Sequence, residues 1–108
     1  MKEHTQILKN EIRDLMYESQ WNRNSDYALY ADYIRKHLPE EKSSNYYNIM
    51  QNYKKYNIYS FKAVERARRA IQREAKQKGD IALLSDKQVE KWREENEQVY
   101  RREFSEKN

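Results

Sequence analysis

Apolar residues recur at helical spacing through most of the chain. The first such stretch covers about residues 2–19 and carries apolar side chains at i, i+4, i+7 and i+8, namely Leu8, Ile12, Leu15 and Met16. A polar turn is predicted at 22–25, with Ser25 as the N-cap of a second helix over about 26–37. Pro39 ends that helix, because the residue before a proline is disfavoured in helical conformation. Its wide apolar surface predicts a central position in the fold.

The same spacing predicts a third helix over about residues 45–55. A four-residue turn at 56–59 follows, in which Asn57 is the residue best suited to a left-handed conformation. The next helix begins directly after this turn. The two helices and the turn between them resemble a helix-turn-helix in layout.

The fourth and fifth predicted helices have the clearest boundaries. The fourth covers 61–78, with Ser60 as N-cap and Gly79 as C-terminal stop. The fifth covers about 86–104 and begins at a capping box, a serine at 85 followed three positions later by glutamine. The sequence therefore predicts an all-α fold: a single domain over 1–108, built as a small bundle of four to five helices. It includes the helix-turn-helix-like unit and a charged C-terminal helix, and whether that helix extends from the bundle stays open.

The composition agrees with a helical, cysteine-free protein. Only 18 of 108 residues are Leu, Ile, Val or Phe, but ten Tyr and two Trp supply large, partly apolar rings, and the net charge is only +4. One Gly and one Pro leave little to interrupt a helix, and the absence of Cys excludes disulfide scaffolds, thiol enzymes and Cys-ligated metal sites. Most tyrosines are predicted to lie in the core, including Tyr27, Tyr30, Tyr46 and Tyr53, while Tyr47, Tyr56 and Tyr59 fit an aromatic interaction surface.

No combination of residues predicts catalysis. The two histidines, His4 and His37, lack partners at metal-ligand spacing, one Gly cannot build a phosphate-binding loop, and no nucleophile lies in a recognisable pattern with a base. We therefore expect a non-enzymatic protein without a cofactor or metal. The sequence has no run of 18 apolar residues and no apolar segment after its N-terminus, so we expect no membrane partner and a cytoplasmic location.

The fourth predicted helix carries the net charge of the chain. Residues 61–78 contain seven basic and two acidic residues, a balance of +5, and the rest of the chain sums to −1. The apolar residues of this helix fall on one face, and five cations fall on the opposite face: Lys62, Arg66, Arg69, Arg73 and Lys76. Arg68 lies beside the apolar face, which predicts a structural role. Cations three or four residues apart repel one another, so this arrangement points to a polyanionic partner.

Two hypotheses follow from this helix, and the first is that it binds DNA. In a helix-turn-helix arrangement, the side chains of Lys62, Arg66 and Arg69 are expected to contact base edges. The phosphates are expected to be contacted by four other cations: Arg73, Lys76, Lys54 and Lys55. A homodimer that presents two copies of the helix about 34 Å apart would suit a duplex. The second hypothesis is that the chain is an interaction protein, which binds an acidic protein through the same cations and the exposed tyrosines.

Residues 60–74 read Ser-Phe-Lys-Ala-Val-Glu-Arg-Ala-Arg-Arg-Ala-Ile-Gln-Arg-Glu. This segment resembles small proteins of phages and prophages of Gram-positive bacteria, which carry the pattern Ser-Phe-x-x-Val-x-Arg-x-Arg-x-x-Ile-Gln-x-Glu. The resemblance implies a genomic context rather than a reaction. It implies a regulator, or an accessory host-takeover factor that binds a bacterial target, in the cytoplasm of the bacterial host.

Overall fold

A computed structural model describes the backbone of residues 2–107 and the side chains of residues 5–97. The α-helices in chain order are α1 (Lys2–Glu18), α2 (Gln20–Asn24), α3 (Asp26–His37), α4 (Tyr46–Gln51), α5 (Phe61–Lys78) and α6 (Asp86–Lys107). Single turns of 3-10 helix lie at Ser43–Asn45 and Ile81–Leu83. The described backbone contains no strand, so the predicted all-α class is confirmed. None of the described helices is long and apolar enough to cross a membrane.

Three helices, α1, α3 and α5, pack against one another and supply most of the core. The predicted apolar face of α1 is confirmed, since all four of its residues are buried. The other buried apolar side chains come from α3, α4, α5 and the segment before α6, as follows: Leu29, Tyr30, Tyr33, Ile34, Ile49, Val64, Ala67, Ile71, Ala75, Leu83 and Leu84. Because α3 contacts both α1 and α5, its predicted central position is also confirmed.

The predicted polar turn at 22–25 is wrong, because residues 20–24 form the short helix α2. Its key residue is Asn22, which is only 1% exposed. The Asn22 side-chain amide donates to the carbonyl oxygen of Leu15 at 2.9 Å and to the carboxylate of Asp32 at 2.7 Å. These bonds satisfy a polar group that would be costly to bury without partners. Ser25 caps α3 as predicted, since its hydroxyl accepts from the Ala28 N–H at 3.2 Å.

The third predicted helix is shorter than expected, since regular α4 ends at Gln51. The side chain of Asn52 donates back to the carbonyl of Asn48 at 2.9 Å and closes the helix there. Irregular turns continue to Asn57, which has φ of 56° and is left-handed as predicted. Nine residues, 52–60, therefore separate α4 from α5, and the predicted four-residue turn is wrong. This connection is too long for the turn of a regular helix-turn-helix unit.

The C-terminal helix α6 begins at the predicted capping box. The Ser85 N–H donates to the side chain of Gln88 at 2.9 Å, and the Gln88 N–H donates to the Ser85 hydroxyl at 3.3 Å. The molecule measures 64 × 31 × 18 Å, and its radius of gyration of 17.5 Å exceeds the roughly 13 Å of a compact domain of this size. The first apolar residue of α6, Val89, packs against the core, while Val99 and Phe104 lie outside the described side chains.

Candidate nucleic-acid interface

Helix α5 has the boundaries that its capping residues predict. The Ser60 hydroxyl accepts from the Ala63 N–H at 3.1 Å, which satisfies one of the free donors at the helix start. At the other end Gly79 is left-handed, with φ of 74°, and the Asp80 N–H donates to the Ala75 carbonyl at 2.9 Å. The eighteen residues between these caps form one uninterrupted helix.

Two buried tyrosines of α3 fix the residue that precedes the α5 cap. The Tyr30 hydroxyl donates to the Tyr59 carbonyl at 2.7 Å, and the Tyr59 N–H donates to the Tyr33 hydroxyl at 2.9 Å. Burial raises the pKa of Tyr30 to about 12. Burial also raises the pKa of Tyr33, against the opposing effect of the Tyr59 N–H bond. Sequence periodicity predicted the burial of Tyr30 but not these bonds, because their partners lie 26 and 29 residues away.

The underside of α5 is anchored by apolar burial and by two polar side chains. Its predicted apolar face is confirmed, with Val64 and Ile71 each 1% exposed. Beside it, the Gln72 amide donates to the Arg23 carbonyl at 2.9 Å. Arg68 donates to the same carbonyl at 2.8 Å and lies 2.7 Å from the carboxylate of Asp26. The predicted structural role of Arg68 is therefore confirmed.

Five cations on the outer face of α5 form what we call the basic stripe: Lys62, Arg66, Arg69, Arg73 and Lys76. All five side chains are exposed, as the sequence predicts. At 3.6 residues per turn they fall within an arc of about 80°, and at 1.5 Å per residue they extend over about 21 Å of helix. The buried face lies on the opposite side of the helix, so the packing of the underside holds the stripe toward solvent.

The two glutamates of α5 leave most of the stripe without a counterion. Glu65 pairs with Arg69 at 2.8 Å, but the Arg69 side chain stays 66% exposed, and exposed pairs of this kind are weak. Glu74 instead faces α1, where the Lys9 ammonium lies at 2.6 Å. The hydrogen bond from Lys9 lowers the pKa of Glu74. Among residues 5–97, the other four stripe cations have no carboxylate within ion-pair distance.

No described contact joins Lys54 or Lys55 to the basic stripe. Both lie in the turns between α4 and α5 and are exposed. The Lys55 ammonium lies 6.0 Å from the centre of the Tyr56 ring, and no described contact links either lysine to a stripe residue. Arg69 instead lines an open cleft of ≈ 600 Å³ between α5 and the start of α6. The cleft also contains Lys87, so cations border it from two helices.

The tyrosines separate into core and surface groups, with two corrections to the prediction. Tyr30 is fully buried, and Tyr46 and Tyr53 are half-buried. Tyr27 was predicted to be in the core but is 70% exposed, because it lies in the first turn of α3 and packs mainly on Phe61.

The second correction concerns the predicted aromatic surface. Tyr56 is half-buried against the core, since the turns between α4 and α5 fold its ring inward. Tyr47 is 72% exposed and Tyr59 38% exposed, which agrees with that surface.

The histidines occupy no cluster of ligating side chains in the described part of the chain. His37 contacts the carboxylate of Glu11 on α1, and His4 lies outside the described side chains. Among the described residues, no group of three or more His, Asp or Glu side chains is arranged to hold a metal ion.

Comparison of the chain with protein-family models, curated proteins and solved structures gives no significant match. The resemblance to small phage proteins therefore stays a prediction from residues 60–74.

Proposed function

We propose that this chain is a non-enzymatic nucleic-acid-binding protein whose basic stripe contacts the phosphates of DNA. The observation that carries the proposal is the segregation of five exposed cations on one face of α5, of which only Arg69 has an ion pair among the described residues. About 21 Å of duplex axis carries roughly twelve phosphate charges, so a stripe of this length matches a nucleic-acid backbone in scale. The resemblance to small phage proteins adds a regulatory role to the proposal.

The proposal concerns phosphates rather than base edges. A helix-turn-helix inserts its second helix into the major groove after a short turn, whereas here nine residues separate α4 from α5. The expected base contacts of Lys62, Arg66 and Arg69 therefore have no support from that layout, and phosphate binding needs only exposed, oriented cations. Arginine suits this role because its planar guanidinium binds two phosphate oxygens at once.

Salt dependence of DNA binding tests the proposal. The triple variant Arg66→Gln, Arg69→Gln, Arg73→Gln removes three stripe cations, and a control variant removes three exposed cations elsewhere: Lys36→Gln, Lys91→Gln, Arg93→Gln. Both variants have the same net charge. Fluorescence anisotropy of a labelled duplex across a salt series gives the slope of log affinity against log salt concentration. We expect the stripe variant to lose about 2.7 from the magnitude of this slope and the control to lose much less.

Two outcomes would contradict this function. If the wild-type protein binds neither duplex nor single-stranded DNA at low salt, nucleic-acid binding is rejected. If the slope of log affinity against log salt concentration falls equally in both triple variants, the stripe is not the contact surface. Capture of a specific acidic protein whose binding is lost on charge reversal of Arg73, without DNA binding, would support the second hypothesis instead.

A further inference from the structure

A second surface feature lies between α3 and α4, where aromatic side chains surround a shallow groove of ≈ 230 Å³. Its floor and walls are apolar and include Tyr30, Ile34, Tyr46 and Met50, and its rims include Tyr27 and Tyr47. The two rim tyrosines are 70% and 72% exposed. Exposed rings of this size around an apolar floor are uncommon on a protein surface without a binding role.

The size of the groove limits what it can hold. Pockets for drug-sized ligands have volumes of about 300–1,000 Å³, so this groove accommodates one flat ring system or one side chain. The described groove residues include no charged side chain, which disfavours a charged group as the occupant. A planar heterocycle that stacks on a tyrosine ring meets both conditions.

An aromatic contact joins the groove to the first residue of α5. The Tyr27 ring packs on the Phe61 ring with centroids 5.0 Å apart, and Phe61 immediately precedes Lys62, the first cation of the stripe. On the opposite wall, the Arg35 guanidinium, which also pairs with Asp32, lies 5.9 Å from the centre of the Tyr46 ring. An aromatic groove with cations on both sides matches a strand in which bases alternate with phosphates.

We infer that this groove receives an unpaired nucleobase of a strand whose phosphates lie on the basic stripe. The inference rests on the proposed function and names its ligand more closely, as nucleic acid with single-stranded character. A base in a duplex is already stacked and paired, and it cannot enter the groove without leaving the helix. Stacking on aromatic side chains tolerates any base, so the groove selects for an unpaired base rather than for a sequence.

The test compares three labelled probes of equal length at one salt concentration: a single-stranded oligonucleotide, the same strand with abasic sites in place of its central bases, and a duplex. The abasic strand keeps the phosphates and lacks the rings. We expect wild-type protein to bind the intact strand about tenfold more tightly than the abasic strand.

Variants of the two rim tyrosines then test whether their rings stack on a base. The double variant Tyr27→Ala, Tyr47→Ala is expected to lower affinity for the intact strand to the level of the abasic strand and to leave duplex binding unchanged. The double variant Tyr27→Phe, Tyr47→Phe keeps the rings and is expected to behave as wild type. Trp21→Ala, which removes a 70% exposed ring outside the groove, is the matched control. Thermal unfolding of each variant shows that the fold is retained.

Equal affinity of wild-type protein for the intact and abasic strands overturns this inference and leaves the proposed function in place. Equal losses on all three probes in the alanine variant also overturn it, because the rim would then support the fold or a contact common to all three probes. An unchanged alanine variant overturns it too, and points to a protein side chain as the occupant. If none of the probes binds, the proposed function fails and the inference fails with it.

Discussion

Helices α5 and α6 have similar lengths and similar numbers of cations, yet they present very different surfaces. Helix α5 has seven basic and two acidic residues in 18, and α6 has six basic and seven acidic residues in 22. In α5 the cations lie opposite a buried apolar face. In α6 charges of both signs alternate, and none of its described side chains, residues 86–97, is buried. The comparison shows that burial on one side of a helix, rather than the number of its cations, fixes a charged surface in space.

Placing the cations of α5 side by side on one face has an energetic cost that the mixed charges of α6 avoid. Like charges three or four residues apart destabilise a helix by about 0.2–0.5 kcal/mol per pair, and the stripe contains four such neighbouring pairs. The total of roughly 1–2 kcal/mol is smaller than the stabilisation from burying even one or two of the apolar side chains beneath. Tertiary packing therefore maintains an arrangement that local electrostatics opposes.

The largest expected effect comes from the underside of α5. Ile71→Ala removes a 1% exposed side chain from the core and is expected to lower the free energy of unfolding by about 2–5 kcal/mol. Val89→Ala, at the α6 position that packs against the core, removes a partly buried side chain and is expected to cost about 1 kcal/mol or less. Urea unfolding with unchanged m-values measures both. Equal losses would contradict the claim that burial anchors α5 more strongly than α6.

A smaller effect separates two adjacent arginines of α5. Arg68→Ala is expected to cost about 2 kcal/mol, because it leaves the Asp26 carboxylate without its cation and removes one of the two donors to the Arg23 carbonyl. Arg69→Ala removes an exposed cation with one weak ion pair and is expected to change stability by less than about 0.5 kcal/mol. The same unfolding measurement checks both. An Arg69 effect as large as that of Arg68 would show that the stripe is structural.

The smallest of the three effects comes from the hydrogen bond that holds the residue before α5. Tyr30→Phe is expected to cost about 1 kcal/mol at neutral pH, because the Tyr59 carbonyl loses its donor. In the folded protein burial raises the pKa of Tyr30 to about 12, against about 10 when unfolded, so its contribution is complete below pH 10 and is lost as the pH rises through 12. The variant should therefore decline less than wild type in this interval.

The control for this pH measurement is Tyr27→Phe, which removes an exposed hydroxyl from the same helix. Circular dichroism of chemical unfolding at pH 9, 10 and 11 measures the decline for wild type and both variants. We expect the Tyr27 variant to follow wild type. If the Tyr30 variant also follows wild type, the buried hydroxyl does not link α3 to the start of α5.

Local signals predicted the parts of the fold that depend on neighbouring residues. Ser60, Gly79 and the capping box at 85–88 act within one helical turn, and all behave as predicted. The opposition of apolar and basic faces in α5 also follows from spacing alone. Asn57 adopts its predicted left-handed conformation, which asparagine tolerates because its short polar side chain can hydrogen-bond to the local backbone.

Features that depend on distant partners were not predictable in the same way. Asn22 is hydrophilic and was predicted to be in a turn, but bonds to Leu15 and Asp32 make its burial favourable. Tyr27 and Tyr30 are one turn apart in α3, yet only Tyr30 is enclosed by neighbouring helices. The aromatic groove likewise exists only because α4 folds against α3, and α4 is too short for its position to follow from periodicity.

The hydroxyl groups of Tyr30 and Tyr33 have a consequence for the direction in which the protein presents its charge. They bind the backbone carbonyl and the backbone N–H of a single residue, Tyr59, just before α5 begins. If α5 started one residue earlier or later, it would turn by about 100° about its axis and direct its cations toward a neighbouring helix. These two hydrogen bonds, together with the buried apolar face, thus fix the rotation of α5 about its axis and the direction in which its guanidinium groups point.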